Sequence, residues 1–346
     1  MTNPGELLER AVDGQRRALG RLLSLVEQGG ETADEISELV GGRANGQAAV
    51  IGITGAPGTG KSTLVGHLVA ALAESGNRPA VLAVDPSSPL TGGAILGDRI
   101  RMDTVAAGRA FIRSMATRGH AGGLALAVPV ALRLFEACGY EPLVVETVGV
   151  GQVEVDVTRT TDTTVVMVAP GMGDGVQANK SGLLEVADVL VVNKADRPGA
   201  DDTRRDLEHM LDLGRLTGLT QDWRPEIIMT TATTGAGAGQ VHRAIQAHRD
   251  HLDTTGQLQA RRRSRIRQEV LDRVTQRLGA EASRYLNTQD PNAQGPNARG
   301  PNIQDPSTQD PSTQDPSTQP DELRAALEGH CTPAAAAAAI IKRLLR

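Results

Sequence analysis

The sequence predicts an α/β protein built on a doubly wound, mostly parallel sheet. Three observations predict it: six short apolar runs lie between residues 49 and 232, helical stretches separate them, and the first run leads directly into a glycine-rich loop. Strands buried on both faces read as unbroken apolar runs, and parallel neighbours need a helical crossover between them. The runs are AVIGIT (49–54), AVLAVD (80–85), PLVVET (142–147), TVVMVAP (164–170), VLVVNK (189–194) and EIIMTTA (226–232).

Ahead of the sheet, Leu7, Leu8, Ala11, Leu19, Leu22, Leu23 and Val26 fall at helical spacing. Two short helices are expected over residues 6–29, split near Gly14 and closed by Gly29-Gly30. After the sheet, 256–286 reads as one long charged helix. From Pro291 to Pro316 a proline then recurs every five residues, and seven of the chain's 18 prolines lie in 291–320. Such a polar tract buries too little surface to offset the entropy of ordering, so a disordered linker is expected. The expected division is an N-terminal helical extension (1–45), a nucleotide-binding domain (46–255), the long helix (256–286), the proline-repeat linker (287–320) and a C-terminal helix (321–346).

Composition narrows the partners. Among 346 residues, 36 Lys plus Arg stand against 41 Asp plus Glu, a formal charge of -5. A nucleic-acid binder of the usual basic kind is excluded. Two Phe, two Tyr and one Trp leave few surfaces on which bases could stack. Cys138 and Cys331 are the only cysteines, too few for a disulfide framework or an all-cysteine zinc site. The start MTNPGELLERAVDG lacks the basic and apolar regions of a secretory signal, and no window of about 18 apolar residues occurs. A cytoplasmic protein with neither nucleic-acid nor membrane partners is expected.

The chemistry begins at Gly55-Ala56-Pro57-Gly58-Thr59-Gly60-Lys61-Ser62, a GxxxxGKS loop between a strand and a helix-forming stretch that opens with Thr63. Glycines let successive N–H groups curl around phosphate oxygens, and the helix N-terminus adds a favourable dipole. Lys61 is expected on the β- and γ-phosphates and the Ser62 hydroxyl on Mg²⁺. Asn193-Lys194-Ala195-Asp196 follows a later strand, at the end where such sheets bind ligands. The Asp196 carboxylate can accept both the ring N–H and the exocyclic amine of guanine, a donor pair that adenine lacks. GTP, with GDP as product, is therefore the expected nucleotide.

Between these motifs lie the candidate metal and switch residues. Asp85 and Asp98 are candidate carboxylates near the metal, and Glu146 stands where most P-loop proteins carry Asp. Gly149 is placed to offer its N–H to the γ-phosphate, and Gln152 is a weaker candidate for orienting water. Arg99, Arg101, Arg113 and Arg118 lie in candidate switch segments, but none is an obvious arginine finger. Slow intrinsic hydrolysis, accelerated by a partner, is expected. His242, His248 and His251 read as surface-helix residues, Arg261, Arg262, Arg263, Arg265 and Arg267 as a solvated face paired with acids, and Trp223 as a packing residue.

VDPSSP, GGAILGDRIRM, ETVGVGQVEVD, GMGD and NKAD occur in this order. In them the chain resembles the MeaB-type methylmalonyl-CoA mutase-associated GTPases, formerly labelled ArgK or LAO/AO transport kinases. The resemblance covers roughly 8–286 and resumes at GHCTPAAAAAAIIKRLL (329–345). It implies a fold similar to the signal-recognition and metallochaperone GTPases, and a homodimer formed through C-terminal helices. It also implies a chaperone that guards and loads an adenosylcobalamin-dependent acyl-CoA mutase, with methylmalonyl-CoA or isobutyryl-CoA mutase as client. Lys61 and Ser62 then serve phosphate and Mg²⁺, Asp85, Asp98 and Glu146 surround the metal, and Asn193, Lys194 and Asp196 hold guanine. GMGDGVQANKSG (171–182) corresponds to the family's third switch, with Lys180 sensing the mutase. The chain departs from the family at Gly175, where a second acidic residue is usual, and in the proline tract that interrupts the dimerisation arm.

Two other classes fit a P-loop GTPase. A kinase acting on a periplasmic amino-acid-binding protein would need a substrate that a cytoplasmic chain does not easily meet. A nickel-inserting GTPase would need a Cys/His metal site near the nucleotide domain.

Overall fold

The computed structural model describes residues 3–44, 46–85, 108–116, 121–147, 159–171, 186–216, 222–287 and 342. Seven strands form one sheet in the order β3-β2-β4-β1-β5-β6-β7. They are β1 (Val50–Thr54), β2 (Ala80–Asp85), β3 (Phe111–Ala116), β4 (Leu143–Thr147), β5 (Thr163–Val168), β6 (Val189–Asn193) and β7 (Glu226–Thr230). Every neighbouring pair is parallel. The six expected runs all supply strands, and β3 is the addition. Its sequence, FIRSMA, carries half-buried Arg113 and Ser114 in the middle, which breaks the apolar run that marks a central strand. An edge strand tolerates this because only one side is paired.

Eight helices are described: α1 (Pro4–Val12), α2 (Arg16–Gln28), α3 (Glu31–Gly41), α4 (Lys61–Glu74), α5 (Ala121–Ala137), α6 (Ala200–Leu216), α7 (Ala238–Thr254) and α8 (Gln257–Asn287). Asn3 caps α1, its side-chain oxygen accepting the Gly5 N–H at 2.8 Å, and Gly14 breaks the chain at φ +90°. The sequence reading stops at Gly29-Gly30, but these two glycines also launch α3, which buries Ile36 and Val40 one turn apart.

Helices cover both faces of the sheet, as double winding requires. On one face α1–α3 and α5 pack over β2, β3 and β4, joining Leu19, Leu22, Leu23 and Ile36 to Leu82, Met115, Phe135 and Val145 in one core. Phe111, Phe135 and Tyr140 meet there with ring centroids 5.6 to 6.1 Å apart. On the other face α4 and α7 pack Leu64, Leu68, Val241 and Ile245 against Ile53, Val144, Met167 and Val191.

Helix α2 also guards the free edge of β3. Phe111 N–H donates toward β2, so by alternation the polar groups of Ala110 and Ala116 point outward. Arg16 donates to the Ala110 carbonyl at 2.7 Å, and Glu27 accepts the Ala116 N–H at 3.0 Å and Arg113 at 2.7 Å. Both ends of an edge that would otherwise offer itself to another strand are thus occupied.

At the amino edge of the sheet the arginine run departs from expectation. Arg263 and Arg267 are exposed, but Arg261, Arg262 and Arg265 form one face of α8 that turns inward. Arg262 contacts the Asp162 carboxylate at 3.2 Å and the Gln47 carbonyl at 3.1 Å, and Arg265 binds the same carboxylate. Arg261 grips Asp188 through two 3.0 Å bonds. Asp162 and Asp188 immediately precede β5 and β6, and each also caps backbone: Asp162 accepts Val50 N–H at 3.0 Å, and Asp188 accepts Thr164 N–H at 2.8 Å. A buried carboxylate is tolerated only when charge and hydrogen bonds compensate its lost hydration, which these arginines do. His248, expected on a surface, is fully buried here, with Nδ1 2.9 Å from the Thr163 hydroxyl. Its Nε2 lies 3.2 Å from Asp188 Oδ1.

The chain divides into two units, Met1–Glu269 and Val270–Arg346. Among the described residues no helix is long and apolar enough to cross a membrane. The expected linker and C-terminal helix lie outside the described residues, apart from Lys342.

Candidate nucleotide site

The glycine-rich loop leaves β1 through a position that only glycine can occupy. Gly55 has φ +141°, and a Cβ there would lie 2.1 Å from the Met167 carbonyl oxygen. Pro57 and Gly58 form the exposed tip, while Thr59 turns back inward and donates its hydroxyl to the Ala56 carbonyl at 2.9 Å. Gly60, at φ +98°, is the second forced glycine: a Cβ would meet Asn193 Nδ2 at 2.3 Å.

Lys61 opens α4 and is buried, its Nζ donating to the carbonyls of Gly55 at 2.7 Å and Ala56 at 3.1 Å. Ammonium and helix N-terminus together make the hollow of this loop electropositive. Ser62, one residue on and followed by Thr63 in the first turn, donates its hydroxyl to Glu146 Oε1 at 2.7 Å. That bond uses the only proton of the hydroxyl, so the Ser62 oxygen keeps its lone pairs. Beside the buried Glu146 carboxylate this is a set of hard oxygen donors, which suits Mg²⁺.

The NKAD segment is tied to the same loop. Asn193 ends β6, and its amide donates to the Thr59 carbonyl at 2.6 Å. Its oxygen accepts the Thr230 hydroxyl at 3.0 Å and the Ala232 N–H at 2.9 Å. Lys194 is the one described non-glycine residue with positive φ, at 60°, and this turn leaves Asp196 exposed beside the site. Ala232, the partner of Asn193 in the β7–α7 loop, escaped the sequence reading, which extended strand 226–232 through it. The glycine punctuation at Gly235 and Gly237, both at positive φ, was the available signal.

Asp85 ends β2, the strand beside β4, and so reaches the same carboxyl edge. Asp98, Gly149, Gln152 and Lys180 lie outside the described residues, as do Arg99, Arg101 and Arg118. Arg113 is held by Glu27 and Ser24 of α2. Among the described residues no group of three or more His, Cys, Asp or Glu side chains is arranged to hold a metal.

The model of the family described as methylmalonyl Co-A mutase-associated GTPase MeaB matches residues 19–285. This chain belongs to the MeaB family. It is 47% identical over 266 residues to a protein of Pyrococcus abyssi named as a GTPase, covering 77% of this chain and 82% of that one. It is 38% identical to GTPase ArgK of Escherichia coli, covering 73% and 78% of the two chains. The mouse methylmalonic aciduria type A homolog is 33% identical, covering 73% of this chain and 65% of that one. A solved LAO/AO transport system kinase superposes over the full length of both chains with a TM-score of 0.65 at 24% identity, a likeness of fold. The MeaB-family chain is accordingly a P-loop GTPase that binds guanine nucleotide.

Proposed function

We propose that this GTPase couples GTP binding and hydrolysis to the assembly, cofactor loading and protection of an adenosylcobalamin-dependent acyl-CoA mutase, methylmalonyl-CoA mutase before isobutyryl-CoA mutase. The family match over residues 19–285 carries the reading. The kinship with the mouse methylmalonic aciduria type A homolog supports it.

In this reading Gly55 to Thr63 cradle the phosphates, with Lys61 leaving its two carbonyl partners for the β- and γ-phosphate oxygens. Ser62 and Glu146, with Asp85 and Asp98, hold Mg²⁺, which supplies charge neutralisation on the phosphates when bound. Asn193 and Lys194 shape the base pocket and Asp196 reads guanine. Gly149 donates to the γ-phosphate, Gln152 orients water and Lys180 senses the mutase. Phosphoryl transfer asks the protein mainly for positioning and charge stabilisation, so a site without its own arginine finger turns over slowly until a partner orders it. The working form is a cytoplasmic homodimer.

The test is GTP turnover by the purified protein, alone and with each purified mutase, with Lys61→Ala as control. Several-fold stimulation by one mutase is expected, and Lys61→Ala should be inactive in every mixture. A wild-type rate indifferent to all of the mutases would refute the chaperone reading while leaving the GTPase intact.

A further inference from the structure

Strands β1 and β4 carry the two halves of the phosphate site, and they part company just where that site begins. Their ladder runs from Val50↔Leu143 to Ile53↔Glu146 and stops there. Thr54 continues on β5, opposite Val166, and Thr147 continues on β2, opposite Val84. The sheet therefore forks between Thr54 and Thr147, with the phosphate loop leaving one prong and Glu146 seated at the root of the other.

One bond crosses the fork beyond the last ladder pair. Thr147 Oγ1 donates to Thr54 Oγ1 at 2.9 Å, with the two residues 0% and 1% exposed. Side chains alternate along a strand, so this bond lies on the face opposite the Ser62–Glu146 bond. The prong bearing Glu146 is thus tied on both faces, to α4 above and to β1 below. Both threonines are β-branched and restricted at χ1, which makes the lower tie stiff.

We infer that Thr54 and Thr147 are positioning residues for hydrolysis: their hydroxyl bond sets the distance between the phosphate loop and the Glu146 carboxylate. The inference rests on the reading of Glu146 as a metal- or water-organising group. A tie of this kind acts on chemistry more than on nucleotide affinity, because affinity is carried by the loop itself and by the guanine motif. Small displacements of a reacting constellation are costly in rate.

The experiment compares Thr54→Val, Thr147→Val, the double variant and Thr147→Ser, with Glu146→Gln as reference. Valine keeps the shape of threonine and removes the hydroxyl. Each single valine variant is expected to lower kcat by about tenfold, with KM for GTP within about twofold of wild type and Thr147→Ser close to wild type. A single variant strands one buried hydroxyl, whereas the double variant strands none. The thermal midpoint of the double variant should therefore recover toward wild type while its kcat stays low, a split that a purely structural role does not produce. If Glu146→Gln is inactive but both single valine variants keep wild-type kcat, or if kcat and midpoint recover together in the double variant, the inference fails. Full activity of Glu146→Gln would overturn the reading of the site itself. Should Thr147→Val not fold, Thr54→Val carries the same prediction from the other prong.

Discussion

Asn193 ties three segments together: its amide donates to Thr59 of the phosphate loop, and its oxygen accepts from Thr230 at the end of β7 and from Ala232 in the loop beyond it. In the proposed function the base is read by Asp196, exposed at the end of the turn. Asp196→Asn replaces one acceptor by a donor, which repels the exocyclic amine of guanine and suits the carbonyl of xanthine. We expect hydrolysis of GTP to fall at least tenfold in kcat/KM, roughly the scale set by a mispaired polar group, and hydrolysis of XTP to rise. Parallel assays with GTP, XTP and ATP check this, and an unchanged ranking would remove Asp196 from the base site. The glycine-rich loop and NKAD were legible because each packs its chemistry into adjacent residues with special backbone needs. Asn193's partners were not, since they sit 37 and 39 residues further on and only the fold brings them back.

Elements show the same division between local and long-range information. The central strands and α8 were legible from period and length. The inward face of α8 was not, because a basic run reads alike whether its counter-charges are water-exposed or waiting at the ends of two strands. The structure supplies them as Asp162 and Asp188. Burial alone raises the Asp188 carboxyl, but the His248 and Arg261 contacts outweigh it and hold the group below its ordinary value of 3.8. A lowered folded-state pKa gives stability that is fully present above the unfolded-state value and is lost as pH falls through the folded-state one. Asp188→Asn should therefore cost about 3 kcal/mol at neutral pH, the scale for breaking a buried pair. The gap between variant and wild type should hold down to about pH 4 and close below it. Urea unfolding at pH 7, 5 and 3 measures the gap; a constant difference across that range would mean that Asp188 acts through packing alone.

For the whole molecule, the amino-terminal helices matter more than their place in the chain suggests. They supply Leu19, Leu22, Leu23 and Ile36 to one core and shut the β3 edge through Arg16 and Glu27. A chain begun at residue 46 would bare Leu82, Met115 and Phe135 together with that edge, and we expect it to aggregate and lose its cooperative thermal transition. Size-exclusion chromatography and calorimetry would show it; a monomeric truncation that melts like the full chain would contradict the packing argument. The doubly wound sheet was readable at this scale. The edge strand and the helix that guards it were hidden in a half-polar hexapeptide and in contacts nearly a hundred residues apart.

The chain's single tryptophan, Trp223, stands where the aspartate–arginine contacts converge. Its indole N–H donates to the Asp188 carbonyl at 2.8 Å, and the rings of His248 and His251 lie 5.0 and 5.1 Å away. The protein thus carries one indole fluorophore, stationed at the edge of the sheet opposite the phosphate loop. Its emission is a light signal from the α7–α8 corner, so acid that loosens the grip of Arg261 on Asp188 announces itself optically. A change in that emission on adding nucleotide would be a message carried from one end of the strands to the other.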